Sequence, residues 1–142
     1  MRLPLVVLSI VSLLAAGLAS AQSHKEIKAV PLTPTSPASG SEMFRTYCAV
    51  CHGVDAKGAG PAADALKKAP ANLTQLAASN HGKFPEDRVA HAISGDTLIG
   101  AHGSQDMPIW GDLFRSLDPG TASVVKLRVV NLTNYIKSIQ AK

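Results

Sequence analysis

Three features of the 142-residue sequence predict an all-α domain with long loops between its helices. Apolar and polar residues never alternate over a sustained run, and no turn pair separates two β-branched segments, so no strand or hairpin is expected. Near the C-terminus Val125, Val129, Leu132, Tyr135 or Ile136, and Ile139 recur at helical spacing. Residues that start and stop helices punctuate the rest of the chain.

Residues 1–21 are expected to stand outside the fold. Arg2 gives a positive start, Leu3 to Leu18 form an apolar run broken by Pro4, Ser9, Ser12 and Gly17, and Ala19-Ser20-Ala21 has the small-x-small form of a cleavage site. This reads as a secretory signal peptide cut after Ala21. The alternative is an uncleaved anchor helix, for which the run is short, and membrane contact is expected only in that case. No cysteine follows the run, which argues against a lipid anchor. Residues 22–38 contain Pro31-Leu32-Thr33-Pro34-Thr35-Ser36-Pro37 and read as a Pro/Ser-rich linker.

The domain is expected over residues 39–142. Ser39 with Glu42 fits a capping box, opening a first helix over about 40–49. A Gly-rich loop follows over 53–61. A short helix is expected over about 62–68, ending before Pro70, and another from Asn72 as cap to near Gly82. A further helix spans about 85–94: Pro85 suits its first position, Glu86 and Asp87 its positive end, and Gly95 its stop. Residues 95–112 read as loop. A last helix runs from Pro119 or Thr121 to Gln140, with Lys137 and Lys142 at its favourable end. So much loop in a small domain calls for something to pack against, and a large flat apolar cofactor would serve.

Composition narrows the function. Apolar residues make up 46% and aromatics 4%, and 14 Lys and Arg stand against 10 Asp and Glu for a net +4. Without the leader only Arg2 is lost, leaving 13 basic residues against 10 acidic and a net +3. No basic run or basic helix face is present, so nucleic acid is not an expected partner; acidic proteins are.

The chemistry centres on Cys48-Ala49-Val50-Cys51-His52, which holds the only two cysteines. Cys-x-x-Cys-His reads as a c-type haem attachment site. On a helical turn positions i, i+3 and i+4 share one face, so both thiols can reach the two vinyl groups along one side of a porphyrin and the imidazole can sit under the iron. A thioredoxin-like pair belongs in a strand-rich fold. A zinc site needs two more ligands at matching spacing. A disulfide closing a two-residue gap makes a poor staple. Haem c is attached outside the cytoplasm, so the leader and the motif predict each other and place the protein in the periplasm.

For the second axial position Met107, followed by the stiffening Pro108, is preferred over His81, His91 and His102, each of which reads as a surface histidine. Met43 lies one turn upstream of the cysteines on the same helix and cannot cross to the other haem face.

Residues 39–142 resemble class I cytochrome c, the small bacterial monohaem type. Gly40 and Phe44 resemble the pair on the first helix that packs against the last, and Leu132 and Tyr135 resemble their partners. Cys48 to His52 resembles the haem motif, Gly58-Ala59-Gly60-Pro61 the loop whose Pro carbonyl accepts a hydrogen bond from the axial histidine, and Met107-Pro108-Ile109-Trp110-Gly111 the distal methionine loop. The resemblance implies a cytochrome c fold, with N- and C-terminal helices crossed around one covalently bound haem c. His52 and Met107 would bind its iron, Pro61 would orient His52, and Trp110 would pack on the haem, donate to a propionate, or serve as an ordinary core aromatic. With both axial positions filled, the expected role is a one-electron carrier with no small-molecule substrate, not an enzyme. Its partners would be acidic oxidases, reductases or dehydrogenases, met by Lys57, Lys67 and Lys68 around the haem edge. The alternatives are a haem c peroxidase or gas sensor with a displaceable sixth ligand, for which His102 is the nearby acid-base candidate, and a tethered cytochrome subunit of a membrane oxidoreductase complex.

Overall fold

A computed structural model describes residues 32–95 and 107–141 of the chain. The expected leader, most of the expected linker, and His102 lie outside the described residues. Among the described residues every regular element is helical, and no helix is long and apolar enough to cross a membrane.

The first helical stretch is continuous but changes pitch. α1 (Gly40–Met43) runs into a π turn (Phe44–Cys48), then α2 (Ala49–His52). Half of the expected capping box forms. The Ser39 hydroxyl accepts from the Glu42 N–H at 3.2 Å, but the Glu42 carboxylate accepts from the Ser36 N–H at 3.4 Å instead of returning to Ser39. The reason is that the chain turns just before the helix, where the Ser39 N–H is already taken by the Ser36 carbonyl.

Between α2 and the next helix the chain makes only three short 3-10 turns, Ala63–Ala65, Leu73–Gln75 and Ala78–Asn80. Helices were expected over 62–68 and from Asn72 to Gly82. Asn72 does cap, accepting from the Thr74 N–H at 3.0 Å, but His81 adopts a left-handed conformation that ends the segment. These pieces are mostly half-buried or exposed, and so lack the packed face that stabilises a longer helix.

α3 (Glu86–Ser94) ends at Gly95 in the left-handed conformation, as its stop residue predicts. α4 (Trp110–Leu117) begins within residues 95–112, expected to be loop, and continues through residues for which no element was expected. Trp110, Leu113, Phe114 and Leu117 lie on its inner face, and Trp110 and Phe114 are buried. α5 (Ala122–Ser138) buries Val125, Arg128, Val129, Leu132, Thr133 and Ile136.

The core sits where α5 crosses the other helices. Phe44, Phe114, Met43 and Leu132 are its largest fully buried side chains, each worth about 1.5 to 3 kcal/mol of apolar burial. The crossing of α1 and α5 depends on Gly40. A Cβ there would run into the Asn131 carbonyl oxygen and lie 2.8 Å from Tyr135 Cβ. One turn along, the Phe44 and Tyr135 rings meet with centroids 5.3 Å apart. The N- and C-terminal helices thus cross through the residues that the family resemblance pointed to.

The domain also reaches further back than Ser39. Leu32 packs on the core, Thr35 is buried, and the Pro37 carbonyl accepts from the Asn131 side-chain amide at 2.9 Å. Residues 32–38 are therefore a strap fastened to α5, although they fall within the range read from composition as linker. Pro34 and Pro37 stiffen the strap, and the carbonyls of Thr33, Thr35 and Pro37 accept from the side chains of Tyr47, Arg128 and Asn131.

Candidate cofactor site

Cys48 closes the π turn, and Cys51 and His52 end α2. Both cysteines are free thiols. Cys48 is buried, and that burial, with the neighbouring Cys51 adding to it, pushes its thiol up to about 12. Cys51 is less enclosed, and burial raises its thiol as well. Neither thiol is ionised at neutral pH, so the pair is poorly suited to thiolate redox chemistry.

The loop after His52 folds back over the end of α2. The N–H groups of Gly60 and Ala62 donate to the carbonyls of Cys51 and Val50 at 3.0 and 2.9 Å. The contact is so close that a Cβ on Gly60 would lie 2.6 Å from the Ala49 carbonyl oxygen. Further along, the Leu73 N–H donates to the Ala56 carbonyl at 2.8 Å, pinning the following segment beside the first loop. This brings the Ala71 carbonyl 3.0 Å from His52 Nδ1.

A carbonyl only accepts, so Nδ1 carries the proton and Nε2 keeps its lone pair. Burial lowers the pKa of His52, against the Ala71 carbonyl, which raises it. The imidazole is thus held neutral and in the tautomer that can ligate a metal through Nε2.

The partner of His52 differs from the expected Pro61 carbonyl. The N–H groups on either side of Pro61 are both spent on α2, and Pro61 itself is exposed. Ala71, which no sequence signal marked, takes the position instead. The expected tie between imidazole and backbone is present, but its acceptor comes from a later turn of the loop.

Met107 is 38% exposed, three residues before α4. Trp110 begins α4 and is buried against Tyr47 and Phe114, with ring centroids at 5.3 and 5.9 Å. Its surroundings in this structure are those of a core aromatic. Met43 is fully buried, with its sulfur 3.8 Å from an Arg128 nitrogen. His81 and His91 are exposed. Lys57, Lys67 and Lys68 are exposed too, and Lys57 is paired with Asp55 at 3.8 Å.

These residues fit a covalently bound haem. The donors are two free thiols three residues apart, a neutral imidazole with Nδ1 already engaged, and a thioether left out of the core. Four of the six large apolar residues exposed among the described residues, Val50, Val54, Met107 and Ile109, lie in the two segments that carry the cysteines and Met107. Apolar surface left exposed in both of these segments is what a flat apolar ligand would cover. Among the described residues no cluster of three or more His, Cys, Asp or Glu could hold a bare metal ion.

Residues 37–111, just over half of the chain, match the protein family described as Cytochrome c. Among curated proteins and solved structures nothing matches the chain.

Proposed function

The chain belongs to the cytochrome c family, whose cofactor is covalently attached haem c and whose chemistry is haem-based electron transfer; from that premise we propose that it is a periplasmic one-electron carrier whose single haem c is attached through Cys48 and Cys51 and ligated by His52 and Met107. The observation that carries this reading is the hydrogen bond from His52 Nδ1 to the Ala71 carbonyl, at 3.0 Å and one residue beyond two free cysteines. It fixes the one nitrogen that must not bind metal and leaves the other for iron.

Bound haem c supplies a ferric/ferrous couple that gains or loses one electron. The protein supplies the rest. His52, held by Ala71, gives a basic and oriented nitrogen ligand. Met107 gives a soft thioether, which favours the ferrous state and raises the reduction potential. With His52 and Met107 both holding the iron, no place would remain for oxygen or a small substrate, which supports a carrier over an enzyme. Trp110, Tyr47 and Phe114 form an aromatic cluster in the core, and Tyr47 directly precedes Cys48 in the chain. The covalent link keeps the cofactor on a protein released from the cytoplasm, and the signal-peptide pattern of residues 1–21 supports that location.

Exposed Lys67 and Lys68, with a mature net charge of +3, support an acidic redox-partner protein. An optical spectrum of protein produced in a cytochrome-maturing host tests the ligation. The expected result is a ferric iron–methionine charge-transfer band and no carbon monoxide binding by the reduced form. Ready carbon monoxide binding would instead establish a displaceable sixth ligand, as in a peroxidase or gas sensor. Intact mass tests attachment, and the mature N-terminus tests cleavage after Ala21.

A further inference from the structure

Arg128 is a full positive charge on the buried stripe of α5, only 3% exposed. Its Nε donates to Asp118 at 2.7 Å, and one terminal nitrogen donates to both the carbonyl and the hydroxyl of Thr35 at 3.0 and 3.1 Å. Its guanidinium lies 5.7 Å from the centroid of the Phe114 ring. Asp118 caps the C-terminal end of α4 and Phe114 lies on its buried face. One side chain therefore ties α5, α4 and the strap together.

At its other end α4 begins with Trp110, and Met107 precedes it through Pro108 and Ile109. Pro108 holds its own φ near one value, and Ile109 is extended with its side chain against Gly95. Gly111 lies against the Ser94 carbonyl. The link from Met107 to α4 is thus short and stiff. Within α4, Phe114 follows Trp110 at i+4, so the residue that Arg128 covers lies one helical turn from the start of the helix.

We propose that Arg128 is a positioning residue for Met107: by locking the Phe114–Asp118 half of α4 to α5 and the strap, it sets where the Met107 sulfur stands. This rests on Met107 being the sixth ligand, as proposed above. Loosening the far half of α4 frees its start, and the methionine then spends more time away from the iron. An added ligand competes for the vacated place, and its apparent affinity rises with the fraction of protein in which the methionine is off.

The test uses the haem-loaded protein and the variants Arg128→Gln, Asp118→Ala and Asn131→Ala. Asn131 holds the strap through Pro37 and has no hydrogen bond to α4 among the described residues, so its loss loosens the fold without releasing that helix. Imidazole is titrated into the ferric protein, and the iron–methionine charge-transfer band is recorded. In Arg128→Gln the expected result is apparent imidazole binding at least about tenfold tighter, with a weakened band. Asp118→Ala shifts the same way by a smaller factor, and Asn131→Ala leaves both readouts at the parent values. If Arg128→Gln does not accumulate as folded protein, Asp118→Ala decides alone. Parent-like imidazole binding in the α4 variants, or an equal shift in Asn131→Ala, would overturn the proposal. A parent protein that itself lacks the band overturns Met107 ligation, which is a different failure.

Discussion

The crossing of α1 with α5 and the loop around His52 are built on opposite terms. At the crossing, Gly40, Phe44, Leu132 and Tyr135 close on one another without help, and Phe44 and Leu132 have no exposed surface. Around His52 the chain makes isolated 3-10 turns, leaves Val50 and Val54 exposed, and is held mainly by backbone hydrogen bonds between loops. The first region is complete as polypeptide. The second carries the thiols, the imidazole and the exposed apolar side chains that a haem would cover. Stability and cofactor binding therefore reside in different parts of one small domain, and mutations should separate them.

The largest effect is expected from removing the attachment points. Cys48→Ala with Cys51→Ala should abolish covalent haem entirely, leaving the bare polypeptide mass. Amide exchange should then rise most over residues 53–80 and least over α1 and α5. Uniform loss of protection would break the distinction between the regions. The reciprocal change is Phe44→Ala, expected to cost about 3 to 5 kcal/mol through the cavity it leaves. Gly40→Ala should cost about 1 to 3 kcal/mol by forcing the helices apart. Denaturant unfolding of the haem-loaded variants checks both, and their charge-transfer bands should survive at neutral pH.

The two regions also differed in how well they could be read beforehand. α5 and α3 carry helical periodicity, a dipole-matched start or a glycine stop, and the Cys-x-x-Cys-His spacing marks its own chemistry. Gly40 and Phe44 were legible through the family resemblance. What was missed depends on contacts distant in sequence. α4 hides behind Pro108 and Gly111, although Trp110, Leu113, Phe114 and Leu117 do recur at helical spacing. Ala71 serves through its carbonyl alone, and a backbone atom leaves no trace in residue type. Arg128 did leave a signal, a charge on the stripe of Val125, Val129 and Leu132, but its partner Thr35 lies in the segment read as linker, and Asp118 lies between the expected loop and the expected last helix, where no element was expected. Those readings treated proline as evidence of looseness, whereas the strap is proline-fixed and clasped.

A middle-sized effect separates the two regions by pH in the haem-free chain. Burial raises Cys48 from 9.0 to about 12. The folded form then keeps its proton where the unfolded chain has lost it, so the thiol contributes stability below pH 9.0 that is lost as the pH rises toward 12. Each unit of such separation is worth about 1.4 kcal/mol. His52 runs the opposite way, with its folded pKa lowered by burial. Its contribution is present above the unfolded value and is lost as the pH falls through that value toward the folded one. Urea midpoints of the haem-free chain should therefore fall on both the acid and alkaline sides. Cys48→Ala should remove most of the alkaline fall and leave the acid fall unchanged, with Cys51 keeping a smaller alkaline share because burial raises its thiol as well. A haem-free chain with no cooperative transition at any pH would show that the helix crossing does not stand by itself.

The smallest effect tests whether the loop beside the site has any role beyond holding haem. Lys67 and Lys68 are exposed, and neither forms an ion pair among the described residues, whereas Lys57 is partly neutralised by Asp55. Exposed charges contribute little to folding, so Lys67→Gln with Lys68→Gln should leave stability within about 0.5 kcal/mol of the parent. Their effect should appear in encounter with an acidic partner, since attraction between separated charges speeds association at low salt and is screened within about 10 Å at 0.1 M. Electron transfer to an acidic redox protein should slow several-fold at low ionic strength, and its salt dependence should flatten. Lys57→Gln, which removes a charge already offset by Asp55, should do less. Equal effects of all three substitutions would mean that net charge steers the partner, and that the loop contributes no local docking face.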